Sequence, residues 1–151
     1  LGAVLDDHYD AVLAFDNALP HLLTNADLDR ATASIYARVR EGGAFLASIR
    51  DYDAALEARP RVTGQRVIEP PEGRRVVLQL WDWADDATYT VTQFILPPDG
   101  AAWRTRHFPG RSRAVRREML TVALEQAGFH DVVWLEPDAS GYYQPVVIAY
   151  R

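Results

Sequence analysis

The chain has 151 residues, 48% of them hydrophobic and 25% charged, the composition of about one globular domain, which excludes a disordered or collagen-like polymer. A net charge of −5 lacks the basic field of a phosphate-backbone binder, so no nucleic-acid partner is expected. The lack of cysteine excludes a disulfide framework, a thiolate metal site and a cysteine nucleophile, and no apolar run approaches the ~20 residues that span a bilayer, so no membrane partner is expected.

The opening Leu1-Gly2-Ala3-Val4-Leu5 has no basic leader, so no secretory signal is expected and the protein reads as cytoplasmic. Residues 9–15, Tyr9-Asp10-Ala11-Val12-Leu13-Ala14-Phe15, form an almost continuous apolar run of strand length, which predicts a strand buried on both faces, as in parallel sheets. Asp16-Asn17 follow as a turn. Thr24 with Asp27 three residues on is a weak capping box. Leu28, Ala31, Ile35 and Val39 then recur at helical spacing, predicting a helix over residues 26–40 that stops at Gly42-Gly43. Residues 44–49 are a second buried strand, completing a βαβ unit.

Residues 60–73, rich in proline, glycine and arginine, read as a loop. Residues 75–83 and 88–96 read as a hairpin turning at Asp85-Asp86. Pro97-Pro98-Asp99-Gly100 is a turn, and residues 103–108 a third strand. Ser112 is expected to cap a helix running to about residue 127, closed by Gly128. Residues 132–135 and 145–150 are the last strands, with a turn at residues 137–141 between them. The pattern is α/β with an antiparallel meander inserted in the middle. A lone βαβ unit cannot cover both faces of a parallel sheet, so the chain reads as the second half of a doubly wound domain. The one methionine is Met119. The sequence therefore does not open on an initiator and reads as processed, truncated or part of a longer chain.

Phe15-Asp16-Asn17-Ala18-Leu19-Pro20-His21-Leu22, Arg40-Glu41-Gly42-Gly43 and Ile49-Arg50-Asp51-Tyr52-Asp53, in this order and spacing, resemble the fourth-strand to fifth-strand region of class I S-adenosylmethionine-dependent methyltransferases. The subgroup they resemble most is the glycine and sarcosine N-methyltransferases. The resemblance runs over essentially the whole chain. It implies the second half of a Rossmann-like sheet with residues 9–15 parallel to residues 44–49 and residues 145–150 antiparallel beside the latter. It divides a single partial domain, residues 1–151, into a βαβ core (1–53), inserted strands (60–110) and a final helix with two strands (111–151). That family's glycine-rich cofactor loop and ribose-holding acid have no counterpart in this sequence. The chain is therefore expected to be a fragment that is inactive alone, partnered by a missing N-terminal half or by itself through an exposed sheet edge.

The implied reaction moves a methyl group from S-adenosylmethionine to a small-molecule acceptor, an amino-acid-like amine. The sulfonium leaving group is already activated, so proximity and orientation dominate, and no catalytic triad or metal is required or found. Asp16 and Asn17 sit at the carboxyl end of a strand, where open α/β sheets bind ligands; they either serve the site or make an Asx turn. The resemblance puts Asp16 and His21 beside the cofactor and Asn17, Arg50 and Tyr52 beside the acceptor. A guanidinium at Arg50 suits an acceptor carboxylate, or it pairs with Asp51 or Asp53. His21 and Tyr52 are equally readable as packing residues. Asp51 stands where some relatives carry an amide.

Arg104, Arg106, Arg111, Arg113, Arg116 and Arg117 fall within 14 residues, but all 16 basic residues are arginine, and this strip reads as a solvated face. Trp81, Trp83, Trp103 and Tyr89 read as one packed sheet face or as a wall over the substrate. Tyr142-Tyr143 either precede the last strand without further role or reach the pocket mouth. The rival to an enzyme is a non-enzymatic interaction or regulatory module that keeps the second half of the fold. A nucleic-acid methyltransferase is disfavoured by the net charge and by Asp16-Asn17-Ala18-Leu19 standing where such enzymes carry an Asn-Pro-Pro-Tyr type motif.

Overall fold

The computed structural model describes residues 7–151, and the opening residues 1–5 lie outside them. The chain divides into two compact units, residues 1–54 with 115–151, and residues 55–114.

The first unit is a mixed four-stranded sheet with helices. Strand β1 (Tyr9–Ala14), helix α1 (Asn25–Arg38) and strand β2 (Val39–Ser48) form the βαβ unit, with β1 and β2 parallel. The last strand, β10 (Val146–Tyr150), lies antiparallel beside β2, and β9 (His130–Leu135) antiparallel beside β10, giving the order β1-β2-β10-β9. Helix α3 (Arg117–Ala127) packs on α1. The core comes from alternate residues of β2 and β10 with the inner face of α3: Phe45, Ala47, Val147, Ala149, Leu120 and Leu124 are all fully buried or nearly so. Burying each large apolar side chain of this kind contributes roughly 1.5–3 kcal/mol.

Strand β1 departs from the expected burial on both faces. Leu13 is 62% exposed and Val12 half-buried; among the described residues β1 is an edge strand that pairs with β2. Thr24 caps α1 as predicted, accepting the Asp27 N–H at 3.1 Å. The end of α1 is different. Gly42-Gly43 do not stop the helix; they lie inside β2, in a bulge between the Tyr9↔Val39 and Ala11↔Ala44 pairs. Gly42 has φ +74°, and a Cβ on Gly43 would stand 2.8 Å from the Asp10 carbonyl oxygen, so both glycines are needed to fold the bulge against β1. The helix stops at buried, extended Val39. The Arg151 guanidinium donates to the carbonyls of Tyr36 (2.8 Å) and Val39 (2.6 Å) and lies 4.6 Å over the Tyr36 ring. A cation at a helix carboxyl end satisfies its last carbonyls and opposes its dipole.

Helix α2 (Tyr52–Ala58) was not anticipated. Its signal is local: the Asp51 carboxylate accepts the Ala54 N–H at 3.1 Å, an ordinary N-cap. Ser112 is not a cap. It is buried in strand β8 (Arg106–Arg113), paired with Tyr89, and α3 begins five residues later after Arg116. A four-residue helical turn, α4 (Pro137–Ser140), stands where a plain turn was expected.

The second unit is an antiparallel sheet of β3 (Val62–Ile68), β4 (Arg75–Trp83), β5 (Thr88–Leu96) and β8, in that order. The β4–β5 hairpin matches its predicted bounds. Strand β3 occupies the expected loop at residues 60–73; its mostly exposed residues and the irregular pairing between Thr63 and Arg66 hid it. The predicted strand at 103–108 is two pieces, β7 (Ala102–Trp103), paired with β6 (Pro98–Asp99), and β8. Trp81 stacks on Tyr89 with ring centroids 4.4 Å apart, and Trp83 lies 5.0 Å from Tyr89. Trp103 stands apart on β7, 46% exposed under Arg74.

Candidate functional site

The parallel pair β1 and β2 delivers its carboxyl ends side by side, which brings Asp16 and Asn17 against Ser48 and Arg50. Asp16 and Asn17 both adopt left-handed backbone conformations, φ +57° and +65°. Aspartate and asparagine tolerate this region better than other side-chain-bearing residues. The two strained residues are held by β2: the Asp16 N–H donates to Ser48 Oγ (2.9 Å) and the Asn17 N–H to the Ser48 carbonyl (3.2 Å). Ser48 Oγ in turn donates to Gln144 Oε1 (3.0 Å), and both side chains are buried.

The Asn17 amide ties the two strand ends together. Its Oδ1 accepts the Arg50 backbone N–H at 3.1 Å. That N–H can only donate, which assigns the oxygen and turns Nδ2 toward the Tyr52 hydroxyl, 2.8 Å away. Tyr52 is fully buried at the start of α2. The structure therefore brings Asp16, Asn17, Arg50 and Tyr52 to one rim. His21 ends the 3-10 turn Leu19–His21 that follows and is exposed.

Tyr142 and Tyr143, just ahead of β10, reach back to the same rim. Both hydroxyls donate to Oδ1 of Asp16, Tyr143 at 2.9 Å. The two bonds, that from Tyr142 being the larger, hold the Asp16 carboxyl below its usual range. The Tyr143 residue is 70% exposed, yet its hydroxyl end is partly withdrawn from water. That withdrawal and the bond to Asp16 push its phenol up to about 12.

Beside this rim lies an open cleft of about 340 Å³ lined by Arg50, Asp51, Glu136, Tyr143 and Gln144, with prolines at its edge. Arg117, at the start of α3, grips Glu136 through both guanidinium nitrogens and lies 3.6 Å from Asp51. The Arg117 bond keeps Glu136 ionised below its usual range. Arg116 approaches Asp53 at 3.9 Å, and Arg104 bonds Asp99 at 3.0 Å. Three arginines of the strip thus meet carboxylates.

Sequence reasoning missed Ser48, Gln144, Glu136 and Arg117 as parts of this neighbourhood. Only Ser48 had a signal, being a polar residue inside an otherwise apolar strand. No group of three or more potential metal-ligating side chains occurs among the described residues, and no helix there is long and apolar enough to cross a membrane.

No protein-family profile matches the chain, and no curated protein matches it. Solved structures do. DesVI of Streptomyces venezuelae aligns over 97% of this chain and 60% of its own, with a TM-score of 0.76 and 17% identity. CalS10, an amino pentose methyltransferase of Micromonospora echinaspora involved in calicheamicin biosynthesis and solved with S-adenosylmethionine bound, aligns over 97% and 60%, with a TM-score of 0.74 and 20% identity. The sugar N-methyltransferase KedS8 of a Streptoalloteichus species gives 97% and 57%, 0.74 and 18%. The chain has the Rossmann-like α/β fold of these methyltransferases and spans about 60% of the length of the first two.

Proposed function

We propose that this chain is the acceptor-side part of an enzyme that moves a methyl group from S-adenosylmethionine to the nitrogen of a small-molecule amine. The observation that carries the reading is the rim itself. On a methyltransferase fold, two parallel strands end side by side with a strained Asp16-Asn17 pair and Arg50, next to an open cleft. On this reading residues 1–53 and 111–151 form the core of one partial domain and residues 60–110 its insertion.

The donor, when bound, supplies a methyl group on a positively charged sulfur. The residues of the rim fit part of such a group. Asp16 offers an ionised carboxylate to a cationic end, and Asn17 keeps one amide hydrogen beyond its bond to Tyr52. His21, on the exposed turn that follows, belongs to the cofactor side. On the acceptor side, Arg50 holds a carboxylate and Asn17 the amine. Tyr52, buried, acts through Asn17 by fixing its amide. With Asp16, His21 and Tyr143 all exposed, the rim encloses little of a ligand this large, and sites that bind such molecules cover most of their surface. The isolated chain is therefore expected to bind S-adenosylmethionine weakly or not at all, which calorimetry checks.

A second acceptor class is favoured by the polar lining of the cleft. Asp51 and Glu136, paired with Arg117, share it with Arg50 and Gln144, a set of hydrogen-bonding groups that suits an uncharged, hydroxylated body such as an amino sugar. Methyl transfer from labelled S-adenosylmethionine to sarcosine-like and amino-sugar acceptors, by the longest reading frame containing this sequence, decides between the two. A reading frame without a glycine-rich loop after an apolar strand, and without transfer to either class, would favour the interaction module instead.

The same reading gives the outer edge of β1 a partner strand, from the N-terminal half of a longer chain or from a second copy. Among the described residues no strand pairs with that edge, and with exposed Leu13 it is a template for association. Sedimentation of the chain alone should show self-association that Leu13→Lys reduces; a well-folded monomer at high concentration would count against it.

A further inference from the structure

We propose that Arg117 is a positioning residue of the cleft: its one guanidinium, touching no ligand, locks the two acidic walls to each other. The walls are distant in sequence. Asp51 lies between β2 and α2, and Glu136 lies between β9 and α4. Both line the cleft, and Arg117 does not. Arg117 reaches them from the first turn of α3, bonding both oxygens of Glu136 and lying 3.6 Å from Oδ2 of Asp51.

Each wall residue divides its work between its own helix and the arginine. Oδ1 of Asp51 accepts the Ala54 N–H at 3.1 Å and caps α2, while Oδ2 is the oxygen nearest Arg117. Helix α2 opens on Tyr52, whose buried hydroxyl fixes the Asn17 amide. The Glu136 carbonyl accepts the N–H groups of Ala139 and Ser140, each at 2.9 Å, and so winds α4. The carboxylate of the same residue goes to Arg117. Helix α4 leads through Gly141 to Tyr142, Tyr143 and Gln144, which hold Asp16 and Ser48. One side chain therefore connects the support of Asn17 with the support of Asp16.

Helix α3 gains nothing from a cation at its start, where positive charge opposes the dipole. The two carboxylates account for its placement. The side chain is 25% exposed, and its guanidinium lies 5.6 Å from the Trp134 ring, whose indole N–H donates to Thr121 at 3.0 Å. A planar fork backed in this way can serve two carboxylates at fixed angles, which an ammonium point charge cannot reproduce. Arg116 makes a looser pair with Asp53, at 3.9 Å, and Asp53 does not line the cleft. It is the internal control.

The inference rests on the methyl-transfer reading only for its effect on an acceptor; the lock itself is tested on the 151-residue chain by NMR amide exchange. Glu136→Gln cuts the lock at one wall and should speed exchange of the Ala54 amide at the other by about threefold, the scale of a weakened ion pair. In an Arg117→Gln background the same change should add nothing. Arg117→Gln alone should speed Ala54 and Ser140 together by about fivefold, with Leu124 of α3 and Val147 of β10 held within about twofold. Arg117→Lys should restore less than half of that protection, and Arg116→Gln should leave the response of Ala54 to Glu136→Gln intact. An Ala54 amide blind to Glu136→Gln, full rescue by Arg117→Lys, or faster exchange along all of α3 would overturn the lock. In the longest reading frame, Arg117→Gln should raise KM for an amino-sugar acceptor about tenfold, with kcat and KM for S-adenosylmethionine within about twofold. Equal losses in all three would count against positioning. Absence of transfer by the unsubstituted protein would bear on the methyl-transfer reading alone, and the exchange result would still decide the lock.

Discussion

The two units solve the problem of rigidity differently. The first surrounds buried strands with helices, so β2 and β10 can hold Ser48, Gln144 and Tyr52 out of water and carry two left-handed residues on top of them. The second relies on cross-strand register and on aromatic stacking. Its polar ladder runs from the Trp81 indole N–H to Thr63 (2.9 Å), and from the Gln79 amide to Gln93 (2.9 Å). Every residue proposed for chemistry belongs to the first unit. Strained backbone costs about 1–3 kcal/mol per residue and persists only where neighbours over-determine it, and the bonded core beneath Asp16-Asn17 meets that condition.

The contrast is tested most severely by Trp81→Ala. Removing a stacked, buried indole should cost roughly 3–5 kcal/mol and abolish the near-ultraviolet dichroism of the Trp81–Tyr89 pair. Helical far-ultraviolet signal, which comes mainly from α1 and α3, should persist; loss of both together would mean that the units unfold as one. Asn17→Ala probes the other side. It removes the bonds that the Asn17 amide makes to the buried Tyr52 hydroxyl and the Arg50 N–H and puts alanine in a left-handed conformation, for about 2–3 kcal/mol in urea denaturation. The aromatic dichroism of the second unit should be unchanged. Arg151→Ala should cost about 1–2 kcal/mol and fray the end of α1, read as faster amide exchange in the last turn of that helix.

The smallest effect is a pH dependence confined to the β4–β5 hairpin. Asp85 accepts the Thr88 hydroxyl and the N–H groups of Ala87 and Thr88, and these bonds lower its carboxyl to about 2. Its folded value lies below the unfolded one, so its contribution is fully present above about pH 4. It is lost as pH falls toward 2. Asp85→Asn should flatten the acid limb of hairpin stability in that window and lower hairpin stability at pH 7, where the ionised carboxylate contributes fully.

The parts of the fold legible in sequence were those written locally. Apolar runs marked β1, β2 and β10, and the Thr24 cap marked α1. The misreadings at Gly42-Gly43 and Ser112 share one cause, that the deciding contact is distant, whereas α2 carried a local signal in its Asp51 cap. Gly42-Gly43 looked like a helix stop because that is what glycine pairs do locally, whereas Arg151 supplies the stop across 112 residues of sequence. Ser112 looked like a cap because its strand partner, Tyr89, was not adjacent. The placement of Asp16, Asn17 and Arg50 on one rim was legible because strand ends can be located from hydrophobic runs. The convergence of Tyr142 and Tyr143 on one oxygen of Asp16 depends on the packing of a loop 126 residues away, and no spacing encodes it.

The order β1-β2-β10-β9 also sets a timetable for folding. Strand β10 lies between β2 and β9, so the βαβ unit has no antiparallel neighbour until the last strand has been made. At about 5–20 residues per second of synthesis, the stretch separating β2 from β10 keeps the inner edge of β2 open for roughly 5–20 s. The intervening hairpins pair with near neighbours in sequence and can form as they emerge. During that interval the inner edge of β2 is open to pairing with other chains, and the bond from Ser48 that steadies Asp16 lacks Gln144 behind it. The rim thus becomes rigid only after β10 has been made.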